Sequence, residues 1–162
     1  MEEILIKYID SKDAAALSLV WNVFLEFEVP EYSEDGVKEF YKSIHEEAYL
    51  QQLCMYGAFL DGKLAGVIAT RNEKSHIALF FVDGKYHRQG IGRKLFEAAK
   101  SNCNSDKMTV NSSPYAVPVY VKLGFCRTDE EQVVNGIKFT PMELCLGAVF
   151  CDGIKQLGRD AI

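Results

Sequence analysis

Residues 75–98 constrain the fold more than any other part of this chain of 162 residues. Residues 75–82 are almost entirely apolar, which predicts a short buried β-strand, and the Asp83-Gly84 pair that follows is a turn signal. From Ile91 onward, apolar residues recur at the spacing of a helix. The segment is therefore predicted to run from a strand, through a glycine-containing loop, into a helix.

The loop has the chemistry of a phosphate site. The first N–H groups of a helix have no intrahelical partner and lie at the positive end of the helix dipole. Gly90 and Gly92 have no side chain to keep a ligand away from this backbone, and Arg88 and Arg93 supply positive charges. The sequence therefore predicts a site for a di-anionic pyrophosphate.

Two common phosphate-binding patterns do not fit this loop. The P-loop pattern needs a Gly-Lys-Ser/Thr ending, and the dinucleotide fingerprint needs a third glycine where Leu95 stands. The loop instead resembles the acetyl-coenzyme A loop of the GNAT superfamily of N-acetyltransferases, Gln/Arg-x-x-Gly-x-Gly/Ala, with His87 in place of the usual Gln or Arg. The resemblance implies that acetyl-CoA is bound here by His87, Arg88, Gln89, Gly90, Ile91, Gly92 and Arg93.

A second stretch, residues 111–125, carries the same resemblance. In the superfamily, an Asn near the end of the fifth strand precedes a helix with the pattern Ala-x-x-Phe-Tyr-x-Lys-x-Gly-Phe. This chain matches it at Asn111, Ala116, Tyr120, Lys122, Gly124 and Phe125, and has Val119 for the Phe.

The resemblance also implies a mechanism. An amine attacks the thioester directly, and Tyr120 is the general acid that protonates the coenzyme A thiolate. The thioester and pantetheine arm are expected between strand 75–82 and strand 107–111, which must splay apart. There they would use the backbone of Phe80 and Val82 and the amide of Asn111. As an alternative, Tyr120 could simply be a core residue.

The general base is left open by the sequence. Many superfamily members carry a Glu on or near the fourth strand, but residues 76–82 include none. The candidates are Glu26, Glu28, His76 or water. Glu26 and Glu28 lie in an aromatic stretch and can act as a base or anchor the substrate amine, or they can form part of a solvated face.

Periodicity and turn signals predict the order βααβββαβαββ over about residues 3–146. This is the GNAT order: an α/β fold in one domain, residues 1–146, with a central mixed, mostly antiparallel sheet of about seven strands flanked by four helices. Asp10 or Ser11 is expected to cap the first helix and Ser33 the second. Pro141 suggests an edge position or a bulge for the last strand. The tail, residues 147–162, is unassigned, and disorder or docking on a partner subunit in a homodimer both stay open.

Composition excludes several classes of protein. The net charge of −5 argues against a nucleic-acid partner, including for a tRNA-acetylating member of the superfamily. The five cysteines form no C-x-x-C pair and the three histidines are scattered, so we expect no metal, and we expect the cysteines to be reduced. The acidic N-terminus is unlike a signal peptide, and no apolar run approaches the roughly 18 residues of a membrane span. These features favour a cytoplasmic protein without a membrane partner.

The leading hypothesis is an acyltransferase that moves acetyl from acetyl-CoA to a primary amine, carried by a small molecule or a protein. Polyamines, amino acid derivatives, aminoglycosides and protein amines all stay open as acceptors. The alternative is a non-catalytic acyl-CoA-binding sensor or interaction module. The absence of a strand-four Glu mildly favours that alternative, and the presence of Tyr120 argues against it.

Overall fold

The computed structural model describes residues 3–146, which form eight β-strands and five α-helices. The strands are β1 (Ile4–Ile9), β2 (Cys54–Leu60), β3 (Lys63–Arg71), β4 (His76–Val82), β5 (Lys107–Ser112), β6 (Cys126–Arg127), β7 (Gln132–Val134) and β8 (Ile137–Cys145). The helices are α1 (Ala14–Phe27), α2 (Glu34–Ser43), α3 (Glu47–Gln51), α4 (Ile91–Ser101) and α5 (Val117–Lys122). The predicted tail lies outside the described residues.

Side-chain caps determine where the first two helices begin. Asp13 accepts a first-turn N–H of α1 at 2.9 Å, and Ser33 does the same for α2 at 3.1 Å. The prediction for Ser33 is confirmed. The prediction of Asp10 or Ser11 as the first cap is wrong, because Asp10 accepts an N–H within the preceding turn and the Ser11 hydroxyl donates to the Leu50 carbonyl at 2.6 Å.

One mixed sheet joins the strands in the order β1-β2-β3-β4-β5-β8-β6, and β7 pairs with β8. Within residues 3–146, β4 and β5 are parallel and the other pairs are antiparallel. The expected mixed, mostly antiparallel sheet is therefore confirmed. The structure has one helix and one strand more than predicted within residues 3–146. The extra helix is the short α3, and the extra strand lies in the last hairpin.

That hairpin differs from the prediction in two respects. The sequence predicts a single strand over residues 125–134. In the structure, the exposed, polar residues 128–131 divide it into β6 and β7. Strand β8 is not at an edge, since β5 pairs with one side of it and β6 and β7 with the other. Pro141 is tolerated there because its carbonyl accepts the Thr128 N–H at 2.9 Å, so its missing N–H faces the break between β6 and β7.

The central strand β4 separates two apolar layers. Successive side chains of a strand point to opposite faces, and here Leu79 and Phe81 pack with α1 whereas Phe80 and Val82 pack with the layer that contains α4. A ligand placed beside β4 can therefore be contacted from both faces of the sheet.

Three further observations concern the cysteines, the possibility of a membrane span and the possibility of a metal site. Within residues 3–146, Cys54, Cys103 and Cys126 are free thiols. None of the helices within residues 3–146 has the length and apolar character needed to cross a bilayer. The same residues contain no group of three His, Cys, Asp or Glu side chains placed to hold a metal ion.

The start of α2 docks directly on the turn between β7 and β8. The Ser33 hydroxyl donates to the Gly136 carbonyl at 3.2 Å. Gly36 packs so closely on this turn that an added Cβ would overlap the Gly136 carbonyl oxygen. This backbone contact ties α2 to the final hairpin.

We expect Gly36→Ala to lower the free energy of unfolding by about 1–3 kcal/mol, because the new methyl group meets backbone that cannot rotate away. In an unobstructed helix the same change would stabilise by about 1 kcal/mol. Urea unfolding followed by circular dichroism measures the difference. Lys38→Ala, at an exposed position of α2, is the matched control and should stay within about 0.5 kcal/mol of the parent. A more stable Gly36→Ala protein would contradict the docking.

Candidate active site

Strands β4 and β5 part shortly after they meet. They pair only at His76 with Thr109 and at Ile77 with Val110. From there to its end, β4 keeps its pairing with β3, but no strand within residues 3–146 pairs with its other side. A cavity of about 450 Å³ occupies this opening.

The free side of β4 presents backbone groups to the cavity. The Asp83 N–H donates to the Ala65 carbonyl of β3 at 2.8 Å. Because backbone groups of successive strand residues point to alternate sides, those of Val82 and Phe80 point away from β3, into the opening. The two residues expected to hold the thioester and pantetheine arm therefore present backbone groups that no neighbouring strand pairs within the described residues.

The N-terminus of α4 borders the same cavity. Gly90 precedes the helix with a φ of 85°, and no side chain caps the first N–H groups. Arg88 and Arg93 are exposed, and neither has an ion pair within residues 3–146. A Cβ added to Gly92 would lie 3.7 Å from the Phe80 ring. The glycine therefore leaves this part of the cavity free of a side chain. Free N–H groups and two unpaired guanidinium groups suit an anionic ligand.

The structure brings most of the predicted site residues together. The cavity is lined by Glu28, Phe80, Val82, His87, Arg88, Gly90, Ile91, Gly92, Arg93 and Tyr120. Three predicted residues lie elsewhere. Gln89 is exposed and its amide donates to the Lys85 carbonyl at 3.4 Å. Asn111 lines a smaller neighbouring cavity of about 80 Å³, and Glu26 lines a separate one of about 390 Å³.

His87 does not extend toward the helix N-terminus in this structure. Its Nε2 lies 2.8 Å from the Val82 carbonyl oxygen, to which it donates, and its ring packs on Phe27 with centroids 5.0 Å apart. The imidazole thus covers a backbone group that the pantetheine arm is expected to use. A ligand that pairs with the Val82 carbonyl must displace it.

Glu28 supplies a carboxylate that is largely shielded from solvent, on a residue that is itself half-buried. It follows α1 directly, at the point where Pro30 prevents the helix from continuing. Burial raises the pKa of the Glu28 carboxyl from 4.5 to about 7, and a hydrogen bond with the Ser113 hydroxyl opposes this increase. Glu28 lines both the large and the small cavity. A carboxylate with a pKa near neutrality can take up and release a proton under physiological conditions.

Two tyrosines lie within electrostatic range of this carboxylate. Tyr120 is only 5% exposed and lines both cavities. Burial raises the pKa of the Tyr120 hydroxyl well above its usual value, and the charge of Glu28 raises it further. The same two causes, in the same order, raise the pKa of Tyr32. Both hydroxyl groups are therefore protonated at neutral pH.

His76 lies at the closed end of the opening. Its Nδ1 is 2.8 Å from the Thr109 Oγ1, which links β4 to β5. Burial, and then the charge of Arg71, lowers the pKa of His76 to about 4. Its ring is neutral at physiological pH and lines none of the three cavities described above.

Sequence reasoning missed several residues of the cavity walls. Ser113 lines the small cavity, and its side-chain hydrogen bond with Glu28 opposes the rise in the pKa of that carboxyl. Tyr115, whose ring centroid lies 5.4 Å from that of Phe27, is a further wall residue that the sequence does not indicate. The one available signal was that Ser113 and Tyr115 lie beside Asn111 in a motif already noted.

Comparisons with known proteins agree with this geometry. A family model described as "Acetyltransferase (GNAT) domain" matches residues 28–146. The structure is similar to that of a GCN5-related N-acetyltransferase from Rhodopseudomonas palustris, with 19% identity and a TM-score of 0.76 over 90% of this chain and 98% of the other. It is similar to the PaiA N-acetyltransferase of Thermoplasma acidophilum in complex with coenzyme A, with 17% identity and a TM-score of 0.68 over 88% and 99%.

A third similar structure is the IAA acetyltransferase of Bacillus cereus, with 24% identity and a TM-score of 0.60 over 89% of this chain and 100% of the other. At these identities the three likenesses establish the fold. No curated protein sequence matches the chain.

We expect Gly92→Ala to weaken coenzyme A binding about tenfold, which is ~1.4 kcal/mol, because the methyl group enters the cavity at the helix N-terminus. Calorimetric titration with acetyl-CoA and desulfo-CoA measures the change, and NADH should not bind. Lys94→Ala, an exposed position two residues further along α4, is the matched control. Equal affinity in the parent and Gly92→Ala proteins would place the cofactor elsewhere.

Proposed function

Because this chain belongs to the GNAT acetyltransferase family, we propose that it transfers the acetyl group of acetyl-CoA to a primary amine by direct attack. The observation that best supports this function is the pairing of Glu28 and Tyr120 in one cavity. One group can accept a proton near neutral pH and the other holds a proton to give. This pairing supplies the base that β4 itself does not carry.

In this proposal the cosubstrate lies across the open end of the sheet. The pyrophosphate binds the N–H groups at the start of α4, between Arg88 and Arg93. The pantetheine arm follows the free side of β4. The Phe80 N–H then points to the thioester carbonyl oxygen and stabilises the negative charge that develops on it during attack.

Glu28 prepares the nucleophile. A primary amine is an ammonium ion at neutral pH, and its nitrogen has no free electron pair until a proton leaves. The Glu28 carboxylate accepts this proton, and the neutral amine attacks the carbonyl carbon. A C–N bond forms, and the proton on Glu28 is later released to solvent.

Tyr120 completes the reaction. As the C–S bond breaks, the thiolate takes the proton of the Tyr120 hydroxyl and leaves as coenzyme A. The nitrogen of the new amide gives its surplus proton to the Tyr120 oxygen in the same step. The high pKa of this tyrosine is consistent with the role, because the hydroxyl must be protonated at the start of each cycle.

We expect Tyr120→Phe to lower kcat by about 10²-fold or more, because the thiolate then leaves without a proton donor. The affinity for acetyl-CoA should not change, since the ring is kept. Free-thiol release measures turnover, and calorimetry measures affinity. Tyr41→Phe removes a hydroxyl from an exposed tyrosine of α2 and is the matched control. If neither the parent nor the variant turns over while both bind acetyl-CoA, a sensor or interaction module becomes the better account.

We expect kcat to fall about tenfold per pH unit below pH 7, because a protonated Glu28 cannot accept the proton of the amine. Glu28→Gln should lower kcat about 10²-fold or more and abolish this inflection. The measurement is a pH profile of kcat at saturating substrates. Glu26→Gln, in the exposed carboxylate two residues earlier, is the matched control and should keep the profile of the parent.

Stability provides an independent check on Glu28. Its folded-state pKa lies above the ordinary value, so the contribution of Glu28 to stability is fully present below about pH 4.5. That contribution is lost as the pH rises through 7. Relative to Glu28→Gln, which does not titrate, the parent should therefore lose up to about 3 kcal/mol between pH 4.5 and 8. An unchanged difference between the two proteins would show that Glu28 is not buried as described.

A further inference from the structure

The two faces of the cavity differ in chemistry. The face on the side of α4 is formed by Phe80, Val82 and the glycines of the helix start, and it is the part that the cosubstrate would occupy. The face on the side of α1 is formed by Val23, Phe27, Glu28 and Phe81. With the cosubstrate on the first face, the second is left for the acceptor.

Charge is sparse on the α1 face. Among the described residues that line the cavity, the charged side chains are Glu28, Arg88 and Arg93. Both arginines belong to the loop and helix start on the opposite face. Glu28 is also the one charged side chain that lines the small adjoining cavity. Among the described residues, the acceptor side thus offers one carboxylate for one ammonium group and no second acid, and the His87 imidazole packs on Phe27 at its edge.

Aromatic rings form the remaining wall. Phe27 contacts His87 on one side and Tyr115 on the other, with ring centroids at 5.0 and 5.4 Å and the planes tilted by 31° and 34°. Tyr115 is 44% exposed, so this row of rings reaches from the cavity to solvent. Such a wall favours the apolar surface of a ligand.

A second charge on the acceptor would be placed against these rings. Removing a charge from water without a partner is unfavourable, and this aromatic wall offers a second charge neither a carboxylate nor a guanidinium group. A polyamine, an amino acid or an aminoglycoside each brings at least one such charge. Such a site therefore selects among acceptor amines by the cost of removing their charges from water as well as by their shape.

We infer that the acceptor is a primary monoamine with an uncharged, apolar body, such as an arylalkyl or branched alkyl amine. This inference rests on the proposed function. The ammonium group meets Glu28, and the body lies along Val23, Phe27 and Tyr115. The nitrogen then enters beside the free side of β4, where the thioester is expected.

The test compares amines in pairs that differ by one charge. The pairs are 2-phenylethylamine with phenylalanine, and butylamine with 1,4-diaminobutane. Phenylalaninamide is added because it keeps the size of phenylalanine and removes its carboxylate charge. With kcat/KM measured by free-thiol release, the uncharged-body member of each pair should exceed its charged counterpart at least tenfold. Phenylalaninamide should recover part of the loss.

Two variants at the exposed rim make the test specific to this face. Tyr115→Glu places an acid beside the acceptor body and should shift the ratio of kcat/KM for 1,4-diaminobutane over butylamine at least tenfold toward the diamine. Tyr115→Lys should shift the same ratio away from the diamine. Neither should change the KM of acetyl-CoA. Val121→Glu, at an exposed position of α5 that lines none of the described cavities, is the matched control and should leave the ratio as in the parent.

The outcomes separate this inference from the proposal on which it rests. Turnover that favours the charged member of the pairs, or a ratio that does not respond to the charge at position 115, would overturn the inference and leave amine acetylation standing. Absence of turnover with every amine, in a protein that binds acetyl-CoA, would overturn both.

Discussion

The early divergence of β4 from β5 is the constraint on which the rest of the site depends. Two residue pairs and the His76–Thr109 hydrogen bond hold the strands together at one end. Beyond them, β4 carries backbone groups without a strand partner, an arrangement that folded proteins normally avoid because unpaired backbone is costly. In this structure His87 covers one of these groups, the Val82 carbonyl. The opening provides both a cavity and directed hydrogen-bonding groups.

The acceptor side is built by a different set of contacts. Helix α1 ends at Phe27, just before Pro30, and leaves Glu28 in the cavity wall rather than on the helix surface. Helix α2, held by the Gly136 turn, brings Phe40 toward the same region. Burial of the Glu28 carboxylate is unfavourable for its charged form. The fold tolerates this because a neutral Glu28 and a hydrogen bond with Ser113 limit the cost, and the same burial makes the residue suitable as a base.

Much of this arrangement could be predicted. The element order, the mixed sheet and the uncapped helix start after Gly90 follow from patterns within short windows, and Tyr120 lies in the cavity that its motif implied. The predictions that were wrong concern residues whose partners come from distant parts of the chain. Asp13 capped α1 because Ser11 was engaged by Leu50, a residue 39 positions away. Pro141 fits inside the sheet because β6 ends beside it.

Glu26 and Glu28 show most directly what sequence and tertiary structure each decided. The sequence by itself determined that two carboxylates stand near the end of an apolar helix, and that a strand, a glycine loop and a helix follow one another, because such features depend on neighbours along the chain. It could not choose between the two acids, which have the same chemistry and nearly the same surroundings in sequence. The choice was made by tertiary packing. Helix α1 packs beside β4, which places Glu28 in the cavity near Ser113 and leaves Glu26 exposed. Burial, and with it the pKa of a carboxyl group, is set by segments far apart in the chain.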